Sequence, residues 1–69
     1  MELTLFLENG KLLIFENVTN LKKEDHFYNI ITFNYVSVED GKKKRALFRT
    51  KELAGLSVDK EDFNVNSLF

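Results

Sequence analysis

Six cations, Lys42, Lys43, Lys44, Arg45, Arg49 and Lys51, fall within ten residues that contain no acid. Alternate residues of an extended strand share a face, so Lys43, Arg45, Arg49 and Lys51 project together if this stretch is a strand. Pairing with the preceding aromatic stretch brings Tyr28 close to them. Charge that tracks phosphates beside a ring that stacks on bases is how small sheets hold single-stranded nucleic acid. The same lysines also suit a solvated edge, where they discourage strand-to-strand aggregation. The basic arm therefore carries two readings, a nucleic-acid site at Tyr28, Lys43, Arg45, Arg49 and Lys51 or an ordinary wet face.

Other reactive residue types are sparse. His26 is the single histidine, and Asp25 precedes it. General-base chemistry also needs a positioned nucleophile and exclusion of water, and neither is recognisable here. Oxygen ligands alternate along 59–64, but the glycine and the closing glutamate of an EF-hand calcium loop are missing. Turn chemistry explains that stretch without a metal. With no cysteine and three glycines, there is no thiol nucleophile and no Gly-rich phosphate loop. The expectation is a protein that is not an enzyme, with no catalytic, cofactor or metal residues.

The chain that must position these groups has 69 residues, room for one domain spanning 1–69. A domain of that size buries only about 60% of the surface its unfolded chain exposes, so its interior is thin. Without disulfides or metals, association is a usual remedy for so small a core. Net charge is −1, which argues against a general attraction to polyanions, but the distribution is uneven. The basic arm is followed by a segment holding Glu52, Asp59, Glu61 and Asp62 against Lys60 alone. The first residues lack the cationic start and apolar run of a signal peptide, and no stretch approaches a membrane span, so a cytoplasmic location is expected.

Two Xaa-Gly pairs organise the strands. Asp40-Gly41 separates arms 27–38 and 42–50, both rich in β-branched and aromatic residues. A two-residue type I′ turn there sets Tyr35 against Ala46, Phe33 against Phe48 and Ile31 against Thr50. One face then carries Ile31, Phe33, Tyr35, Ala46 and Phe48 as core. The opposite face carries Lys43, Arg45, Leu47, Arg49 and Lys51.

Asn9-Gly10 marks an earlier hairpin in the same way. Counting from a two-residue turn sets Leu5 against Ile14 and Leu7 against Leu12, and groups Phe6, Leu13 and Phe15 on the other side. Both sides are apolar, whereas an antiparallel sheet with one wet face alternates. Something must cover Phe6, Leu13 and Phe15: the C-terminal tail, a barrel-like closure, a second subunit or a protein partner.

Residues 17–26 read as a surface connection with at most one helical turn. In 50–55, Thr50 suits an N-cap and Gly55 a helix stop or a strand bulge, and a short turn followed by a short strand is expected. The apolar tail, ending in Leu68 and Phe69, is expected to dock on the sheet over Phe6 and Phe15.

This order of features, with the long Phe/Tyr strand, the basic arm and Glu52-Leu53-Ala54-Gly55-Leu56-Ser57, resembles short uncharacterised sheet proteins of low-GC Gram-positive bacteria and their phages and plasmids. The resemblance spans the chain in outline and implies no functional residues. The sequence thus predicts an all-β domain of four or five antiparallel strands from two hairpins, barrel-like or packed as sheets. Its expected role is protein binding or dimerisation through the outer face of the first hairpin, with nucleic acid on the basic strand as the alternative.

Overall fold

The structure, a computed structural model, describes residues 1–24 and 29–68. Six strands run β1 Leu3–Leu7, β2 Leu12–Phe15, β3 Thr19–Lys23, β4 Ile30–Val36, β5 Lys43–Arg49 and β6 Leu53–Val58. Two short 3₁₀ turns, Thr50–Glu52 and Val65–Leu68, complete the elements. The strands form two antiparallel three-stranded sheets, ordered β2-β1-β6 and β3-β4-β5. The all-β class is as expected, with six strands rather than four or five. The additional strand is β3, in the stretch expected to be a surface connection, and it is held by burial of Val18 and Leu21.

Neither hairpin closes as a two-residue turn. A type I′ turn needs positive φ at both central residues. Only the glycines supply it, at +87° for Gly10 and +69° for Gly41, while Asn9 and Asp40 stay out of that region. At the first turn the N–H of Gly10 donates to the carbonyl of Leu7 at 3.0 Å and that of Leu7 to Lys11 at 2.8 Å, leaving a three-residue loop. At the second, Gly41 donates to Ser37 and Ser37 to Lys42, both at 2.9 Å, leaving a four-residue loop.

These loop lengths correct both registers. In β1 and β2 the pairs are Leu3 with Phe15, Thr4 with Ile14, Leu5 with Leu13 and Phe6 with Leu12, one residue from expectation. An odd slip exchanges the faces of a strand. Leu13 and Phe15 therefore turn inward, and Leu12 and Ile14 turn out. In β4 and β5 Phe33 pairs with Ala46 and Ile31 with Phe48, two residues from expectation. An even slip leaves each side chain on its expected face, so Ile31 and Phe33 line the core.

The core lies between the inner faces and comprises Leu3, Leu5, Val18, Leu21, Ile31, Phe33, Leu53 and Leu68. Each fully buried side chain of this kind contributes about 1.5–3 kcal/mol. Phe15 bridges the layers, with its ring edge-on to Phe33 at 5.0 Å and to Tyr35 at 4.8 Å, while Phe33 stacks on Phe48 at 6.0 Å. The chain bends at Asn17, between β2 and β3, with φ 54°, and again at Asn20, in the irregular part of β3, with φ 56°. Asparagine tolerates that left-handed conformation better than most side chains.

The first 3₁₀ turn begins at Thr50, which is buried inside the turn rather than capping it; Arg49 holds the cap position without a side-chain cap bond. Gly55 does not stop a helix. It lies within β6 opposite Phe6, and the irregularity in the ladder leaves neighbouring Ala54 without a partner in β1. The tail as far as Leu68 docks, but against β3, where Leu68 is 1% exposed and closes the core; Phe69 lies outside the described residues. This docking leaves Phe6 outside, 39% exposed.

Candidate interaction surfaces

Two outer sheet faces carry the side chains that local sequence leaves without an interior role. On the β2-β1-β6 sheet, Phe6 stands opposite Leu12 on one side and Gly55 on the other, and Thr4 stands between Ile14 and Ser57. Side chains directly opposite lie about 4.5–5.5 Å apart at Cβ, so Phe6, Leu12 and Ile14 form one group. Leu12 is 51% and Ile14 57% exposed. The Phe6 ring lies beside Gly55 of β6, where an added Cβ would make ordinary contact with Phe6 Cδ2 at 4.0 Å. β2 is an edge strand of four residues, all apolar.

Of the three residues assigned to this surface from sequence, Phe6 is on it, whereas Leu13 and Phe15 are half-buried and pack against the core. Leu12 and Ile14 were missed. The signal that finds them is the φ requirement of a two-residue turn, which an asparagine at position 9 satisfies less readily than glycine does.

The outer face of the second sheet is cationic. Lys43, Arg45, Leu47 and Arg49 alternate along β5 and lie opposite Val36, Asn34, Thr32 and Ile30 of β4. Lys22 of β3 joins them opposite Thr32. The Arg45 guanidinium donates to Thr32 Oγ1 at 3.4 Å, and Thr32, between Leu47 and Lys22 in the sheet, is 3% exposed. Arg45 also lines a recess with Asn17, Thr19, Asn34, Tyr35 and Lys43, in which polar groups that can bond an anion adjoin apolar surface. Leu47 lies in the midst of the cations, 59% exposed.

The structure brings Lys43, Arg45 and Arg49 onto one face. Lys51 sits in the first 3₁₀ turn, beside a small recess shared with Arg49, Ile30 and Asn29. Tyr28, the expected stacking platform, lies outside the described residues, as do Asp25 and His26. The described residues of this outer face include no aromatic side chain.

Among the described residues the single ion pair is Lys44 Nζ with Asp40 Oδ2, at 3.6 Å, and it belongs to the β4-β5 turn. The N–H of Lys42 donates to Asp40 Oδ1 at 3.0 Å and holds that carboxyl below its ordinary value, with the Lys44 charge acting in the same sense. Asp59, one of the oxygens considered for calcium, accepts the N–H of Glu2 at 2.8 Å and so ties the end of β6 to the start of β1. No group of three or more His, Cys, Asp or Glu side chains gathers among the described residues. Among the described residues no helix is long and apolar enough to cross a membrane. No protein-family model, curated protein or solved structure matches this chain.

Proposed function

We propose that the protein is a non-enzymatic interaction module that binds protein through the outer face of its first hairpin, and that the occupant is a second copy of the chain. The carrying observation is the grouping in solvent of Leu12 and Ile14, on an edge strand with no charge, with Phe6 of the adjacent β1. Contiguous exposed apolar side chains of this kind mark contact surfaces more often than chance. The size of the chain favours self-association in particular. A 69-residue domain without cysteine has few ways to add apolar burial, and a second copy supplies one. An apolar patch is also its own complement, as a twofold interface requires.

Nuclear magnetic resonance spectra over a dilution series test the proposal. Methyl and ring resonances of Phe6, Leu12 and Ile14 are expected to shift with concentration, while those of Leu5 and Ile31 stay fixed. Spectra unchanged at every concentration would remove the basis for a second copy on this face.

A further inference from the structure

The β5 edge and the cationic face beside it form a second surface, independent of the first. β5 is an edge strand of seven residues, paired with β4 alone. Hydrogen-bonded pairs alternate along an antiparallel ladder. At the two ends of this ladder Ser37 donates to Lys42 and Thr50 donates to Asn29. The bonded positions of β5 are therefore the even-numbered ones, and Lys43, Arg45, Leu47 and Arg49 direct their N–H and C=O groups away from β4. The opposite side of β4 agrees, since Ile30 accepts from Glu24 and Val36 donates to Glu16, both away from β5. Among the described residues no element other than β4 makes a backbone hydrogen bond to β5.

The residues whose backbone groups point outward are thus the same ones whose side chains form the cation, cation, leucine, cation row. A strand laid along β5 would complete the free backbone groups, and its side chains would meet that row in register. Lysine on an edge is by itself a guard against aggregation. A guard has no use for Leu47, which stands exposed in the middle of the row.

We infer that β5 accepts an extended acidic segment of a partner protein by strand addition, with acids against Lys43, Arg45 and Arg49 and an apolar side chain against Leu47. Charge complementarity chooses this occupant over an apolar strand. The free backbone groups of β5 favour a strand over nucleic acid, which would not complete the ladder.

The probe is a short blocked peptide alternating threonine with glutamate, one glutamate replaced by leucine. The comparisons are its lysine counterpart, a version with the glutamates clustered, and a random single-stranded oligonucleotide. Amide hydrogen exchange should show the acidic peptide protecting Lys43, Arg45, Leu47 and Arg49, with little change at Lys44, Ala46 and Phe48. Reversing two exposed charges in R45E/R49E should weaken binding about tenfold, as the modest strength of exposed ion pairs implies. Leu47→Thr, which keeps every charge, should weaken binding as well. Ile14→Lys should leave it unchanged, which separates this surface from the first hairpin. Equal binding of the clustered peptide, protection elsewhere, binding of the oligonucleotide alone, or no binding at low salt would each overturn the inference.

Discussion

Phe15 meets Phe33 edge-on, with ring centroids 5.0 Å apart. The contact fixes the last residue of β2 against the centre of the opposite sheet. Because neighbouring strand residues point to opposite faces, it also determines that Ile14 points into water. The outer apolar group is therefore the counterpart of the core contact one residue away.

Phe33→Ala is expected to cost about 3–5 kcal/mol, since it empties a fully buried site in a thin core. Ile14→Ala, at an exposed position, should change stability by no more than about 1 kcal/mol. Thermal or urea denaturation of the two variants compares them directly. Equal losses would contradict the assignment of inner and outer faces.

Glycine substitutions should separate by backbone conformation. Gly10→Ala places a side chain at φ +87° in open space, so its cost of about 1–2 kcal/mol is conformational. At Gly55, which lacks positive φ, an added Cβ makes only ordinary contact with Phe6 Cδ2. Gly55→Ala is expected to stabilise the fold by about 0.4–1 kcal/mol through the unfolded state. Denaturation midpoints moving in the same direction would refute the distinction.

The alternation of Ile31, Phe33 and Tyr35 against Ala46 and Phe48 was legible without coordinates because an error of two residues in pairing leaves a strand's faces intact. The first hairpin was not so protected. Asn9-Gly10 closes a loop longer by one residue, and that single residue moves Leu13 and Phe15 inside and Ile14 outside. β3 was illegible for a different reason. Leu21 is its one buried residue, flanked by Asn20, Lys22 and Lys23, and pairing with β4 rather than local periodicity makes it a strand. Of the cationic group, Lys43, Arg45 and Arg49 followed from period-two spacing, whereas Lys22 joins them only through tertiary pairing.

Leu68 is nearly absent from the surface and packs in the core. Leu68→Ala should destabilise the protein by about 2–5 kcal/mol, the range for a leucine removed from a packed interior. A variant as stable as the parent would mean that the second 3₁₀ turn is dispensable.

Asp40 gives a pH prediction with a definite sign. Its folded carboxyl titrates below the ordinary value, chiefly through the Lys42 N–H. The contribution is present above the unfolded pKa and is lost as pH falls through the lowered folded value. A carbon-detected titration should show Asp40 with a midpoint below that of a free aspartate, and Asp40→Asn should flatten the acid limb of the stability curve. A midpoint at or above the ordinary value would contradict the turn geometry.

Sedimentation velocity over a concentration series, on the parent chain and on Ile14→Lys, measures what the outer face of the first hairpin does. The parent should shift from monomer to dimer as concentration rises, while Ile14→Lys stays monomeric and melts at the temperature of the dilute, monomeric parent. A parent that sediments as a monomer throughout, or a variant that associates as readily as the parent, would contradict the assignment of Phe6, Leu12 and Ile14 as the binding surface.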